Sequence, residues 1–356
     1  MSPPLSLLLG IAGLLLALVG CTARGRALFR PAVPAYQRET FKLSAGPCAA
    51  KGYPMTIHVG NFIRSDGKTF PVPSGHFLEG TWGLSSTVWA VGNEQQAVPD
   101  SLEILYFSYL ENELYEGTFA LPQEKLYALL KAGYWNTGQP ETYKELTVCV
   151  LPKGGVYVWL TGAGRKEFVG RFQAARSAAD FNRTSSGGDR AVLARTARAE
   201  APAAVQEQVR AGTLSTKQWD EYLKTYPWRV AFNQPLVPYS FYDIDYVNAE
   251  RTFCPLTPDP APFYRALLEP SPKPVPRRLN LRLQAEHGAR YFLRVDPFDE
   301  AETLAAFRAL HAASPASPIT LLYTFDKPLT KATLSLKNET KEIPLLKSTV
   351  EIIHKK

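Results

Sequence analysis

Alternation of apolar and polar residues is cleanest late in the chain, where Leu279, Leu281, Leu283 and Ala285 interleave with Arg278, Asn280, Arg282 and Gln284. A period of two is that of an antiparallel strand with one face buried and the other wet. An earlier stretch is written the same way. Pro99-Asp100-Ser101-Leu102-Glu103-Ile104 precedes a hairpin-like segment through Tyr106, Glu111-Asn112 and Tyr115 to Phe119. Pro276-Arg277-Arg278-Leu279-Asn280-Leu281 precedes one of similar length through Glu286-His287-Gly288 and Tyr291 to Val295. Self-similarity at so long a period points to an internal duplication.

Each hairpin leads into a helical period. After the first, Pro122 opens the element, Glu124 lies in its first turn, Leu126, Leu129 and Leu130 share a face, and Gly133 stops it. After the second, Pro297 precedes Asp299, Glu300 and Glu302, and Leu304, Phe307 and Leu310 recur at helical spacing. Strands follow both helices. Segments 148–150, 156–160 and 168–172, separated by turns at Lys153-Gly154-Gly155 and Gly162-Ala163-Gly164, have counterparts at 319–325, 332–336 and from Ile343 onward. Residues 55–63 and 239–247 are expected as a further strand ahead of each hairpin. The pattern predicts an α+β protein with two similar antiparallel-sheet units from an internal duplication, each with one covering helix. The units fall at 41–175 and 228–356, with a basic linker and connecting helix at 176–227.

The N-terminus is different in kind. Leu5 to Val19 is apolar and uncharged, ends at Gly20-Cys21, and is too short for a comfortable membrane span, which makes 1–20 a signal peptide. Leu18-Val19-Gly20-Cys21 resembles the lipobox of bacterial lipoproteins, which implies lipidation at Cys21 and a tether over 21–40. Several acyl chains on one cysteine hold a protein firmly on a bilayer. Thr22 stands where an inner-membrane retention signal would carry Asp, so the expected address is the outer membrane of a bacterial envelope, facing the periplasm.

Composition narrows the classes further. Over 356 residues, hydrophobic content of 45% with 21% charged excludes wholesale disorder and coiled coil. With Cys21 taken by lipid, Cys48, Cys149 and Cys254 remain, enough for one internal disulfide whose pairing stays open. Cys149 lies in an apolar run and reads as a small buried hydrophobe, whereas Cys48 and Cys254 adjoin prolines and read as loop residues. The histidines at 58, 76, 287, 311 and 354 share no paired spacing, so neither a metal nor a cofactor is expected.

Several motifs match a known family in order: Lys51-Gly52-Tyr53-Pro54, Asp100-Ser101-Leu102, Ser108-Tyr109-Leu110-Glu111-Asn112, the Leu121-Pro122 helix start, Pro152-Lys153-Gly154-Gly155-Val156 with Trp159-Leu160, Gly170-Arg171-Phe172-Gln173 and the aromatic run from Trp219 to Trp228. Together these resemble the bacterial lipoprotein family called domain of unknown function 2931, from about Tyr36 to the C-terminus. The resemblance implies an envelope lipoprotein and supplies no catalytic or ligand residue.

No catalytic constellation stands out. The serines near Gly83 and Gly187 lack the Gly-x-Ser-x-Gly frame of a nucleophile elbow. Glu111 with Glu113, and Asp243 with Asp245, read as the solvated tip of a hairpin and the polar face of a strand. Arg165 and Lys166 after the Gly162-Ala163-Gly164 turn are weak candidates for an anion nest, against a plain hairpin turn. They open a run to Arg198 with eight basic residues and three acids, Arg171 among them. Trp219 and Tyr222 either pack the connecting helix on the first unit or expose a stacking surface, and packing is favoured. An exported chain makes nucleic acid a poor partner, which leaves an envelope protein or an anionic lipid or glycan. The expectation is a non-enzymatic binding or interaction module. The alternatives are an immunity lipoprotein neutralising an envelope-targeted toxin or lipase effector, and an envelope hydrolase acting on glycan or lipid.

Overall fold

The computed structural model describes residues 33–87, 95–184 and 188–355. The expected signal peptide, the lipidation site Cys21 and most of the tether lie outside the described residues. Of the expected tether, Ala35–Arg38 is a short helix and Thr40–Lys42 a strand, and Tyr36 sits edge-on to Tyr127 of the first half at 6.4 Å between ring centroids.

The first half contains β1 (Ser44–Cys48), β2 (Met55–Arg64), β3 (Thr69–Pro71), β4 (Pro99–Ser108), β5 (Glu113–Ala120), α1 (Gln123–Ala132), β6 (Glu145–Val150), β7 (Gly155–Thr161), β8 (Lys166–Gln173) and β9 (Ala175–Arg176). A one-turn helix at Phe181–Thr184 follows, and then three longer connecting helices: α2 (Arg190–Glu200), α3 (Ala203–Arg210) and α4 (Lys217–Tyr222). The second half contains β10 (Thr225–Phe232), β11 (Leu236–Tyr246), β12 (Arg251–Cys254), α5 (Ala261–Leu268), β13 (Ser271–Pro274), β14 (Pro276–Ala285), β15 (Arg290–Val295), α6 (Glu300–Ala313), β16 (Ile319–Phe325), β17 (Ala332–Lys337), β18 (Glu342–Pro344) and β19 (Glu351–Lys355). Helices and mainly antiparallel sheets, segregated along the chain, make this an α+β fold.

The pairings recur in the same order. In the first half one sheet runs β9-β5-β4-β2-β3; in the second, the order β19-β15-β14-β11-β12 repeats it strand for strand. The strand after each hairpin and helix pairs in parallel with one that precedes the hairpin (β6 with β1, β16 with β10), and is extended antiparallel by β7 and β8, or by β17 and β18. The sheets are joined across the halves, because Lys166 of β8 pairs with Arg251 of β12 and makes one nine-stranded sheet, β1-β6-β7-β8-β12-β11-β14-β15-β19.

Local chemistry accounts for the elements. Leu279, Leu281 and Leu283 are wholly buried on one face of β14, as the alternation requires. Asp299 caps α6 by accepting from the Glu302 amide at 2.8 Å, which satisfies an otherwise orphaned donor. Gly133 ends α1 at φ 58°, and a Cβ there would lie 2.4 Å from the Glu141 carbonyl oxygen, so both conformation and space call for glycine. The halves share a continuous apolar core in which Trp159 and Trp228 are fully buried.

Several expectations are corrected. The units are not purely antiparallel, since each holds one parallel pair. Cys48 and Cys254 are strand residues, at the ends of β1 and β12, and are as buried as Cys149. Ser44-Ala45-Gly46-Pro47-Cys48 reads as a loop because of its Gly and Pro, but β1 is an edge strand, where a missing N–H is tolerated. The boundary placed between 227 and 228 falls inside β10. Segment 176–227 is largely helical and docked: Arg190 donates to the Asn112 side chain at 2.8 Å, and Arg198 to the Leu110 carbonyl at 2.7 Å.

Candidate functional site

The seam where β8 meets β12 is closed from above by two loops. Trp159 donates its indole N–H to the Asn248 carbonyl at 3.0 Å, the Phe168 amide donates to Glu250 at 2.8 Å, and the Lys166 ammonium donates to the Gly83 carbonyl. Between these loops and α4 lies a cleft of about 260 Å³. The first half contributes Lys51, Tyr53 and Trp82, helix α4 contributes Trp219 and Tyr222, and the second half contributes Tyr246, Arg277 and Glu300.

Aromatic contacts hold the walls rigid. Trp82 meets Trp159 at 5.1 Å, Tyr222 at 5.4 Å and Tyr157 at 5.8 Å between ring centroids. Among the described residues the buried Trp82 indole N–H has no acceptor atom. Trp219 lies edge-on to Tyr53 at 5.0 Å, and Tyr53 donates to Gln208 at 2.9 Å. Tyr222 donates to Glu300 and accepts from Gln218, with its phenol pushed well above the usual range by burial and then by the Glu300 carboxylate. The cleft therefore presents an arginine and a carboxylate among aromatic walls, the composition of a small-ligand site with a few orienting polar groups.

Beneath it, charge runs across the sheet. Asp243, only 3% exposed, accepts from Arg278 at 2.9 Å and Asn280 at 2.9 Å and pairs with Arg251 at 3.4 Å. Asp245 pairs with Arg278 at 3.0 Å and Arg251 at 3.3 Å, and with Arg277 of the cleft at 3.7 Å. At the other end of the stripe, burial lowers the Lys166 ammonium and raises the Glu145 carboxyl. Cys48 and Cys149 are register partners on β1 and β6, and all three described thiols are free. Burial first, and then the Cys48 thiol, hold Cys149 well above the ordinary thiol range.

The candidate cations do not converge. Arg165 pairs with Glu167 at 2.9 Å, Lys166 turns to Gly83, and Arg171 reaches Asp220 at 3.1 Å, where the Tyr157 hydroxyl also donates at 2.7 Å. The Gly162–Gly164 segment is a hairpin turn, closed by the Gly162 amide on the Arg165 carbonyl at 2.8 Å. Trp219 and Tyr222 do meet, in the cleft, and both are buried. Glu111 is not a solvated tip residue: it bonds Ser108, Tyr115 and the Lys153 amide at 2.9, 3.0 and 2.9 Å. Asp243 is likewise internal.

Trp82, Tyr246, Arg277 and Glu300 escape a reading of the sequence. Trp82 sits in a loop without periodicity, and the other three lie at strand and helix ends where their types are ordinary; only tertiary folding brings them together. Among the described residues, no group of three or more His, Cys, Asp or Glu side chains is placed to hold a metal ion, and no helix is long and apolar enough to cross a membrane.

No curated protein and no solved structure matches the chain. A family model does match, over residues 31–228, ending inside β10, so the extension of the resemblance to the C-terminus lies beyond the match. The family is described only as Protein of unknown function (DUF2931), and over more than half of its length this chain matches it and belongs to it.

Proposed function

We propose that this protein is a non-enzymatic binding module of the bacterial envelope, lipidated at Cys21, held at the outer membrane on the periplasmic side, and that the aromatic cleft at the seam contacts its ligand. The observation that carries the reading is the cleft itself, where Tyr53, Trp82, Trp219, Tyr222 and Tyr246 form walls from three parts of the chain around Arg277 and Glu300. Aromatic faces stack on flat or sugar-like groups, and a cation and a carboxylate in one cleft fix orientation. The absence of catalysis is supported by how the obvious reactive groups are spent: Glu111 and Asp243 are engaged internally, and Cys48 and Cys149 are buried. We read the repeated pairing order as an internal duplication that supplied two sheets and the seam between them.

The test is recovery of the tagged full chain from detergent-solubilised envelope, with bound molecules identified by mass spectrometry, beside Trp82→Ala. A molecule retained by the wild type and lost by more than tenfold in the variant is expected. Equal recovery by both, or consumption of the bound molecule by the pure protein, would sink the reading.

A further inference from the structure

A second cavity, of about 350 Å³, lies between α5 and the strands β11 and β12 of the second half and shares one wall residue, Tyr246, with the seam cleft. This is within the size range of small-molecule sites, about 300–1,000 Å³. Its walls are mainly apolar: Tyr242 and Ile244 from β11, Phe253 from β12, Phe263 and Leu267 from α5. Among the described residues no carboxylate lines it, but Lys273 does.

The Lys273 ammonium is held without being neutralised. It donates to the Ala266 carbonyl and to the Ser271 hydroxyl, each at 2.9 Å, and lies 4.9 Å from the centroid of the Trp228 ring. It also reaches the Glu269 carbonyl at 3.4 Å, and all four partners are uncharged. Burial alone pulls the amine down to about 8, with no anion among the described residues offsetting it. Ser271, accepting from Lys273, keeps a hydroxyl proton to donate. Arg165, the other cation in the wall, already has Glu167. An apolar cavity with one fixed, uncompensated cation lacks a molecule that brings both a chain and a negative head.

We propose that this cavity binds a single-chain anionic amphiphile, its head at Lys273 and Ser271 and its chain along Phe263, Leu267 and Tyr242. Carboxylate and phosphate heads share the required chemistry. The inference uses none of the seam cleft's residues, Tyr246 being a shared wall that it does not rest on, so the cleft's ligand could fail to appear without affecting it.

The full chain in neutral phosphatidylcholine nanodiscs would be photolabelled with a twelve-carbon fatty acid bearing a terminal diazirine, and the adducts mapped by peptide mass spectrometry. Adducts are expected in α5, β11 or β12, reduced at least fivefold in Lys273→Gln and in Ala266→Trp, an exposed helix position that fills the cavity mouth without touching the core. Dodecanoate or dodecyl phosphate should compete, and which is stronger tells a fatty acid from a phosphate-headed lipid. Labelling outside α5, β11 and β12, equal competition by dodecanol, or full labelling of Ala266→Trp would overturn the proposal.

Discussion

In the first half, the pair Phe107 and Leu114 on the outer face of the hairpin is fully buried, because Phe181 and the Arg190–Glu200 helix lie over it. Aligned on the shared Pro-x-x-Leu-x-Ile/Leu pattern, the matching pair in the second half is Gln284 and Arg290, and the neighbouring Val237 is 60% exposed. One pairing order thus carries two outer faces, one closed by the connecting helices and one rich in arginine and open to solvent at Val237 and Arg290. Pairing and core are set by the inward residues, Leu102, Ile104 and Tyr106 in one half and Leu279, Leu281 and Leu283 in the other, all of them buried. The outward residues are free to differ, and their difference decides what each half touches.

The largest expected effect breaks the comparison at its covered side. Phe107→Ala should cost about 3–5 kcal/mol in urea unfolding, as deletion of a buried aromatic does, whereas Val237→Ala should stay within about 0.5 kcal/mol. Comparable losses at both would mean that the second face is also covered. Next comes the charged stripe. Asp243→Ala strands Asn280 and leaves Arg251 and Arg278 to Asp245 alone, and should cost about 1–3 kcal/mol, while Ala at Asn61, the place in β2 that matches Asp243 in β11, should be close to neutral.

The third concerns pH. The folded-state Lys273 amine is lowered to about 8, below its unfolded value of about 10.4. Between these values the unfolded chain holds the proton and the folded one releases it, so wild-type stability should rise with pH across that window relative to Lys273→Met. A flat difference between the two proteins from pH 7 to 10.5 would contradict the burial of that amine. The smallest effect is chemical. Directly paired positions on adjacent strands lie about 4.8 Å apart, within disulfide range, so mild diamide treatment should link Cys48 to Cys149 and leave Cys254 free for alkylation after unfolding. Alkylation of all three thiols would show the pair too constrained to close.

Much of the fold is legible in the sequence because periodicity is a local property: the alternation at Leu279–Ala285 and the helical spacing at Leu304, Phe307 and Leu310 each mark their element. The parallel strands are not legible, because Ser44–Cys48 carries turn residues into an edge, and Tyr226-Pro227-Trp228 continues an aromatic run begun on a helix. Of the candidate site, Trp219 and Tyr222 could be singled out by aromatic density. Trp82, Arg277 and Glu300 could not, since nothing local distinguishes them and their meeting depends on the β8–β12 junction. The basic residues from Arg165 to Arg198 mislead for the opposite reason: charge is visible in sequence, but the carboxylates and carbonyls that absorb it, Glu167, Asp220 and Leu110, are distant or unremarkable there.

The most direct test sets the seam cleft against the arginine-rich face in living cells. A photoreactive amino acid at Lys51, on the exposed rim of the cleft, and the same residue at Val237 would each be activated by light, and adducts of the full-length protein resolved by mass. The account predicts a discrete adduct from position 51, lost when Trp82→Ala is added, and none from 237. An adduct from 237 alone would place the contact surface on the arginine-rich face and contradict the central claim.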